Sequence, residues 1–442
     1  MREADTIAAL ATPVGAGAIA VVRISGPQAV DCADKIFRGR AKLRDVAPGR
    51  VLRGTIVDGD VAVDEVLATV FRAPRSYTGE DVVEISGHGG AAVARSVLRA
   101  VLEAGAHPAP PGEFTRRAFL NGKMDLTQAE AVMDLINARG EAAAKAAVAQ
   151  LEGRLGREIE AAREALLMTL AHLEAFIDFP EEGIDPESGA VLAGRVDDLL
   201  RRVERLLSTA DEGRMLREGV RLVIHGAPNA GKSSLLNLLL GYDRAMVSEI
   251  PGTTRDTIEE NLTLRGIPFR IVDTAGLRES DDPLEQEGMR RTRLHVAQAD
   301  VAVRVVDSAD AAAGIPAPAG EILVLNKIDL LSEVPRVPGA VAMCCLDGRG
   351  LEELVEVVVG RVDLASLDRF AESVAVNERH RCCLVAARDD LEQAKLSLQR
   401  GDAPELTAVE LRSALAGLGE ITGAGDAEEV LDRIFSSFCI GK

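Results

Sequence analysis

One short stretch, residues 226–234, constrains this chain more than any other part of its sequence. Gly226, Gly231, Lys232 and Ser233 fit the pattern G-x-x-x-x-G-K-[ST]. An apolar run before the stretch predicts a buried strand, and a leucine-rich run after it predicts a helix, which is the setting that a phosphate-binding loop requires. Such a loop turns backbone N–H groups towards phosphate oxygens, and the helix N-terminus adds its positive dipole. The alternative is a glycine-rich turn that binds nothing.

Three further motifs follow in the order that a GTPase requires. Residues 273–276 (D-T-A-G) end an apolar strand, where Asp273 can hold Mg²⁺ through water and Gly276 can sense the γ-phosphate. Residues 326–329 (N-K-I-D) follow another strand, and Asp329 can accept both N–H groups on the edge of guanine, a donor pair that adenine lacks. Residues 252–256 (G-T-T-R-D) lie where switch I supplies a threonine to Mg²⁺. Four motifs in this order predict a GTP-binding domain.

Leu277 departs from the Ras-like pattern. In Ras-like enzymes a glutamine after the D-x-x-G glycine orients the attacking water. Leu277 occupies that position here and can neither donate nor accept a hydrogen bond. If the domain hydrolyses GTP, another residue must position the water.

Charge is distributed unevenly along the chain. The net charge is −19; residues 1–120 carry 15 basic and 14 acidic residues, whereas residues 121–442 carry 36 and 56. A chain this acidic does not hold nucleic acid by broad release of counterions. Any contact with RNA should therefore be local, weak or supplied by a partner.

The six cysteines indicate a reducing compartment. They include two adjacent pairs and no C-x-x-C motif, which suits neither a zinc site nor a disulfide framework. The N-terminus lacks the basic-then-apolar pattern of a signal peptide. No apolar run approaches the roughly 18 residues that span a bilayer. We expect a soluble, cytoplasmic protein with no membrane association.

Periodicity divides the chain into α/β and helical parts. Residues 1–120 alternate apolar strands with two helical stretches and predict a small α/β domain. Residues 121–215 and 371–442 have helical spacing, including one long helix over 141–176. Residues 216–370 carry the GTPase motifs. The economical interpretation is one discontinuous helical domain with the GTPase domain inserted into it.

Two features of these parts leave alternatives open. The glycine clusters at 15–17 and 87–90 could border a ligand site or form ordinary turns. His88, within the second cluster, is expected to form a hydrogen bond rather than to bind a metal. The acidic stretch 178–186 is expected to be a solvated turn rather than a metal site.

Three segments carry a resemblance to a known family. They are residues 5–13 (D-T-I-A-A-L-A-T-P), residues 111–123 (P-G-E-F-T-R-R-A-F-L-N-G-K) and residues 435–442 (F-S-S-F-C-I-G-K). With the GTPase motifs, they make the whole chain similar to the MnmE (TrmE) family of tRNA-modification GTPases. The resemblance implies an N-terminal α/β tetrahydrofolate-binding-like domain, a discontinuous helical domain and an inserted Ras-like P-loop GTPase domain.

The same resemblance implies partners and a reaction. Such proteins form homodimers through their N-terminal domains and work with the FAD-dependent protein MnmG, for which we expect a heterotetramer. Together they modify C5 of the wobble uridine (U34) of certain tRNAs, adding an aminomethyl- or carboxymethylaminomethyl-type group with a 5-formyl- or methylene-tetrahydrofolate donor. The alternative is a GTP switch or ribosome-assembly GTPase without one-carbon chemistry, although the sequence shows no basic RNA-binding appendage.

Matching the family pattern assigns candidate site residues. The folate-binding positions are Arg23, Glu84, Lys123 and Lys442. For Arg23 and Glu84 the alternative is an ion pair between adjacent strands. The catalytic candidates are Glu285, which would orient the water, and Cys439, whose role is either chemical or a matter of packing. The alternative for Glu285 is a carboxylate that stabilises a helix N-terminus.

The resemblance also assigns cation sites. It implies K⁺ at Asn229, Ser248, Ile250 and Thr253, and Mg²⁺ at Ser233 and Thr254. A monovalent cation near the β–γ bridge would replace an arginine finger. The predicted nucleotide-binding residues are Asn229, Ala230, Gly231, Lys232, Ser233, Ser234, Ser248, Glu249, Ile250, Pro251, Gly252, Thr253, Thr254, Asp273, Thr274, Ala275, Gly276, Asn326, Lys327 and Asp329.

Three details do not fit the family pattern or allow another interpretation. Cys344-Cys345 replaces the usual Ser-Ala of the guanine loop, so part of the base contact would rest on backbone groups. Arg304 interrupts the apolar strand 301–306. The ending C-I-G-K has the outline of a prenylation box, but its last two residues are atypical and no polybasic segment precedes it.

Overall fold

The chain divides into two compact units, each built from more than one segment. The computed structural model describes residues 5–138, 140–178, 189–210, 214–215, 218–246, 260–272, 295–307, 320–331, 333–334, 337–362, 375–424 and 428–442. The first unit comprises Met1–Met133, Leu151–Leu167 and Leu415–Lys442, and the second comprises Asp134–Gln150 and Met168–Ala414.

A mixed sheet dominates the first unit. Within the described residues it has seven strands in the order β3-β4-β5-β6-β2-β1-β7, and every neighbouring pair is antiparallel except β1 and β7. The strands are β1 (Ile7–Leu10), β2 (Ile19–Ser25), β3 (Phe37–Gly39), β4 (Val51–Asp58), β5 (Val61–Phe71), β6 (Val82–His88) and β7 (His107–Pro108).

Alternation along these strands separates the two faces of the sheet. On β2, Val22 and Ile24 are buried in the core, whereas Val21 and Arg23 on the opposite face are only partly buried. Two helices, α1 (Ala29–Ile36) and α2 (Ala91–Glu103), cover the apolar face and share its core. The predicted strands and helices of this part are confirmed.

Eight further helices of the described residues lie before or after the GTPase region in the sequence. They are α3 (Glu113–Leu120), α4 (Leu126–Asn137), α5 (Glu141–Leu151), α6 (Arg154–Asp178), α7 (Gly189–Ser208), α10 (Glu378–Arg400), α11 (Pro404–Thr422) and α12 (Glu428–Ser436).

The prediction of a single helix over 141–176 is wrong. The helix stops at Leu151 and a new one starts at Arg154. Gly153 adopts a φ of 79°, in the left-handed region that ends a helix. The side-chain amide of Gln128 donates to the Leu151 carbonyl at 2.8 Å and satisfies one of the carbonyls that the helix end leaves free.

A second sheet carries the phosphate-binding loop and the N-K-x-D motif. In the described residues it has six strands in the order β13-β12-β11-β8-β10-β9, all parallel to their neighbours except the edge strand β9. The elements are β8 (Val220–Gly226), α8 (Lys232–Met246), β9 (Glu260–Leu264), β10 (Ile267–Ile271), β11 (Val301–Asp307), β12 (Ile322–Asn326), β13 (Ala340–Ala342) and α9 (Leu351–Gly360).

The apolar runs of the sequence become the buried strands of this sheet. Every residue of β12 is buried, as expected for a central parallel strand covered on both faces. Arg304 lies half-buried on β11, opposite His225 on β8 and Leu323 on β12. Among the residues described in both units, no helix is long and apolar enough to cross a membrane.

Candidate nucleotide and folate sites

The predicted phosphate-binding loop lies between β8 and α8. Gly226 has a φ of 147°, and a Cβ there would meet the Val305 carbonyl oxygen at 2.1 Å, so only glycine fits. Asn229 adopts a left-handed φ of 61° at the exposed crest of the loop. Lys232 begins α8 and its ammonium donates to the Ala227 carbonyl at 2.8 Å. The motif therefore has the strand–loop–helix setting that the sequence predicts.

Asn326 ties this loop to the rest of the site. Its side chain is buried, its amide nitrogen donates to the Ala230 carbonyl at 2.9 Å, and its amide oxygen accepts the Cys345 N–H at 3.2 Å. Gly231 leaves room for this bridge, because a Cβ there would lie 2.0 Å from the Asn326 amide nitrogen. One buried amide thus holds both the phosphate-binding loop and the loop at Cys345.

The other two residues of the N-K-x-D motif differ in their surroundings. Lys327 has a left-handed φ of 64°, and its ammonium pairs with the Asp307 carboxylate at 2.8 Å. Asp329 lies in a 3₁₀ turn, Ile328–Leu330, and is exposed. An exposed carboxylate beside the Asn326 bridge can accept hydrogen bonds from a base.

The Cys344-Cys345 loop supports that bridge through its backbone. Cys344 is buried and its carbonyl accepts the Gly348 N–H at 3.0 Å. Burial, with a smaller effect of Cys344, raises the pKa of Cys345 to about 11. The Cys345 thiol is therefore protonated at neutral pH, and its backbone N–H makes the contact with Asn326.

Much of the predicted GTPase machinery lies outside the described residues. This applies to Ser248, Glu249, Ile250, Pro251, Gly252, Thr253, Thr254, Asp273, Thr274, Ala275, Gly276, Leu277 and Glu285. Ser233 and Ser234 are described and exposed in the first turn of α8. The described half of the site therefore comprises the phosphate-binding loop and the base-reading motif.

A second cluster in the first unit brings together three of the four predicted folate residues. Arg23 on β2 and Glu84 on β6 are direct cross-strand neighbours. The Arg23 Nε and Nη2 atoms both lie 2.9 Å from one Glu84 carboxylate oxygen. The ion pair between adjacent strands, the alternative that the sequence left open, is therefore present. The charges of Arg23 and Glu84 act in opposite directions on the pKa of the Lys442 ammonium.

Residues 439–442, here called the terminal segment, are anchored beside this ion pair. The Gly441 carbonyl accepts from Arg23 Nη1 at 3.5 Å, and the backbone oxygen of Lys442 accepts the Phe114 N–H at 3.2 Å. Gly441 has a φ of 95°, and a Cβ there would lie 2.3 Å from the Leu10 carbonyl oxygen. The terminal segment therefore fits against the end of β1 only with glycine at this position.

Two aromatic rings that the sequence reasoning missed complete the cluster. The Arg23 guanidinium carbon lies 5.0 Å from the centre of the Tyr77 ring and 5.6 Å from that of Phe114, both within cation–π range. Burial raises the pKa of Tyr77, whose hydroxyl bonds the Thr115 hydroxyl at 2.8 Å. Phe114 lies within residues 111–123, one of the segments that carry the family resemblance.

Lys442 is half-buried in this cluster. Burial, followed by repulsion from Arg23, lowers the pKa of its ammonium, while Glu84 and Cys439 act in the opposite direction. Cys439 is exposed, and its backbone carbonyl accepts the N–H groups of Gly112 and Lys442. The ammonium of Lys442 and the thiol of Cys439 therefore belong to the same terminal segment, which is hydrogen-bonded at both of its ends.

Lys123 contacts the neighbouring loop rather than the ion pair. Its ammonium donates to the Pro74 carbonyl at 3.0 Å. A buried arginine that the sequence reasoning missed also holds this loop: Arg117 pairs with Glu80 at 3.1 Å and with Glu113 at 3.0 Å. Lys123 and Arg117 thus support the loop that carries Tyr77.

His88 forms the hydrogen bond that the sequence suggested. Its Nδ1 atom and its backbone N–H contact the two carboxylate oxygens of Asp64 at 2.7 and 2.8 Å. Within the described part of the chain, no group of three or more His, Cys, Asp or Glu side chains could hold a metal ion. Asp64, missed at the sequence level, holds the end of β6 in place.

A phosphate-binding loop bridged by a buried asparagine to an N-K-x-D turn defines a P-loop protein of the guanine-reading class. Two family models match the chain: "GTP-binding protein TrmE N-terminus" over residues 6–123 and "MnmE helical domain" over residues 126–439. The chain belongs to the MnmE family.

Curated relatives match along nearly the whole chain. A "tRNA modification GTPase MnmE" of Akkermansia muciniphila is 48% identical, and one of Geobacter metallireducens is 46% identical; each alignment covers 99% of both chains. The solved G domain of the T. maritima FeoB iron transporter is 26% identical over 32% of this chain and 98% of its own, with a TM-score of 0.24. That score is below the level at which a shared fold is inferred.

Proposed function

We propose that this chain binds and hydrolyses GTP as a component of tRNA wobble-uridine modification at C5 of U34. The observation that carries the GTP assignment is the Asn326 bridge, which joins the phosphate-binding loop to the base-reading turn. Near full-length similarity to proteins named tRNA modification GTPases supports the tRNA assignment. The added group would be of the aminomethyl or carboxymethylaminomethyl type.

The described residues divide the work of holding the nucleotide. Lys232 would exchange the Ala227 carbonyl for β- and γ-phosphate oxygens, and the positive end of the α8 dipole would face the same charge. Asp329 would accept the guanine N–H groups. The exposed hydroxyl of Ser233 fits a hard cation, and Mg²⁺ bound there would neutralise phosphate charge.

Nucleotide binding to the full chain tests the central assignment. Lys232→Ala should lower GTP affinity by at least about 10-fold, because a charge-assisted contact contributes about 1.5–3 kcal/mol. Asp329→Asn should weaken GTP and strengthen xanthosine triphosphate, since an amide replaces one acceptor with a donor. Titration of both nucleotides against both variants measures this. Unchanged GTP affinity in Lys232→Ala would remove the assignment.

A folate one-carbon donor is the second part of the proposal. Arg23, Glu84 and Lys442 offer two cations and an acid, which suits a ligand with carboxylates and a pterin donor edge. When bound, a 5-formyl- or methylene-tetrahydrofolate would supply the one-carbon unit. Homodimerisation through the N-terminal part and assembly with the FAD-dependent MnmG protein belong to the same proposal.

The tRNA assignment is tested by the nucleoside composition of tRNA. We expect cells that lack the protein to lose the C5-modified wobble uridine, and re-expression of the natural chain to restore it. Re-expression of Lys232→Ala should not restore it, whereas Gly194→Ala, at an open helical position on α7, should. Normal wobble uridine in the deleted strain would favour the alternative, a GTP switch acting elsewhere, such as in ribosome assembly.

A further inference from the structure

The β9–β10 hairpin joins the two predicted switch segments. β9 begins at Glu260, shortly after switch I, and β10 ends at Ile271, just before the D-T-A-G motif. Its turn is Arg265-Gly266, and both residues have positive φ, 49° and 83°. The strands pair directly from Leu264 and Ile267 onwards, so the hairpin is short and regular. A movement of either switch must therefore act on this hairpin through the chain.

The turn of the hairpin is held on one side by α9. The Arg265 guanidinium contacts Glu352 at 3.4 Å and Glu356 at 3.1 Å. These side chains are exposed, so each ion pair contributes little to stability. The contacts position the turn next to α9 but add little to its stability.

On its other side the turn meets Gly140, at the entrance to α5. A Cβ built on Gly140 would lie 2.9 Å from the Gly266 carbonyl oxygen and 3.6 Å from Pro268 Cδ. The backbone at Gly140 does not require glycine, since its φ is not in the left-handed region. Its missing side chain is what allows the hairpin to approach.

The helix that follows Gly140 is built into the same core as the hairpin. Ala146 on α5 is 5% exposed and belongs to one buried cluster with Leu264, Ile267 and Phe269. Ala142, one turn earlier, packs against that cluster. Small side chains at both positions let α5 lie close to the sheet, so a shift of the hairpin cannot be absorbed by flexible side chains.

We infer that α5 is a lever that reads the nucleotide state of the GTPase region through the β9–β10 hairpin. The inference rests on the proposed GTP binding. The GTPase region is connected to the helices through the chain at its two ends. The packed helix α5 would be an additional route by which the nucleotide state reaches those helices. GTP bound to the GTPase region would move the hairpin turn against Gly140 and change the position of α5.

The far end of α5 shows what the lever would act on. The Leu151 carbonyl accepts from Gln128 at 2.8 Å, and the Gln128 amide oxygen accepts the Asp125 N–H at 2.9 Å. Gln128 lies in the first turn of α4, whose Leu126 is buried with Phe435 and Phe438. Phe438 immediately precedes the terminal segment. A displaced α5 would therefore act on the element that anchors Cys439 and Lys442.

Hydrogen exchange in the full chain tests this without any substitution. Amide exchange along α5 should differ by at least about 3-fold between the GDP-bound protein and the protein with a non-hydrolysable GTP analogue. GTP-analogue binding without a change in α5 would overturn the inference and leave the proposed function standing. Failure of the analogue to bind would overturn both.

A matched pair of substitutions tests the contact itself. Gly140→Ala puts a methyl group 2.9 Å from the Gly266 carbonyl and should reduce the nucleotide-dependent change in α5 by more than half, with GTP affinity altered less than about 2-fold. Gly194→Ala adds the same methyl group where nothing lies within 4 Å and should leave the change intact. If folded Gly140→Ala shows the same nucleotide-dependent change in α5 as the natural chain, the inference is wrong.

Discussion

At the scale of single residues, Arg23 shows how a predicted ligand contact and a structural contact can coincide. Its guanidinium is already engaged by Glu84, by the Gly441 carbonyl and by two ring faces. It is 14% exposed, so a ligand would meet it from one side only. Arg23 is therefore first a residue that positions the terminal segment, and any folate contact would be added to that role.

The proposed folate site can be separated from the GTP site by two substitutions. Arg23→Ala and Lys442→Ala should each weaken 5-formyl-tetrahydrofolate by about 10-fold or more, because each removes a charged hydrogen-bonding group from a partly buried cluster. GTP affinity should stay unchanged in both. Calorimetry on the intact protein measures both ligands. A protein that binds GTP but no folate would leave the cluster with a purely structural role.

The family resemblance supplied the polar members of this cluster but not its aromatic ones. Arg23 and Glu84 lie directly opposite each other on the adjacent strands β2 and β6, which are far apart in the sequence. Tyr77 lies in a loop, where no periodicity constrains side-chain direction, whereas Phe114 lies in the first turn of α3. Their meeting over one guanidinium is a product of tertiary packing.

At the scale of secondary-structure elements, the presence of a helix was easier to predict than the residue at which it ends. The alanine-rich run from 141 onwards favours a helix, interrupted only by the glycines at 153 and 156. Gly153 marks the break, but Gly156 lies inside α6, and an isolated glycine inside a helical pattern is usually tolerated. The amide of Gln128, distant in sequence, decides the matter by binding the Leu151 carbonyl.

Two glycine substitutions should therefore have opposite effects on stability. Gly153→Ala forces a Cβ into a φ of 79° and brings it 3.3 Å from the Gln128 amide nitrogen, so it should destabilise by about 1 kcal/mol or more. Gly194→Ala, at an exposed position within α7, should stabilise by about 0.5–1 kcal/mol. Denaturant unfolding measures both. Equal effects would mean that the break at Gly153 is not conformationally required.

At the scale of the whole molecule, periodicity reports local structure but not which segments share a core. The first unit gathers Met1–Met133, Leu151–Leu167 and Leu415–Lys442. Nothing in the sequence of residues 151–167 distinguishes them from the helices on either side, because all have similar composition and spacing. Long-range sorting of this kind depends on side-chain complementarity, which a single sequence does not display.

The last prediction concerns how hydrolysis is activated in the full chain. Leu277 cannot orient water, and Asn229 occupies the exposed crest of the phosphate-binding loop with a left-handed φ of 61°. We propose that Asn229, with Ser248, Ile250 and Thr253, holds a monovalent cation that offsets transition-state charge, and that Glu285 orients the water. Cation binding would also promote face-to-face pairing of the two GTPase regions of a homodimer when GTP is bound.

Turnover should then depend on which cation is present. K⁺ should accelerate GTP hydrolysis by about 10-fold or more over Na⁺, because a site of carbonyl and side-chain oxygens selects by size and coordination number. Asn229→Ala should abolish the K⁺ stimulation. Glu285→Ala should keep GTP binding and K⁺-dependent pairing but lose turnover by about 100-fold or more, the contribution expected of a proton-transfer or water-orienting group. Phosphate release in matched KCl and NaCl, with light scattering for pairing, distinguishes these effects. Equal rates in the two salts, or normal turnover in Glu285→Ala, would show that this chain hydrolyses GTP by another route.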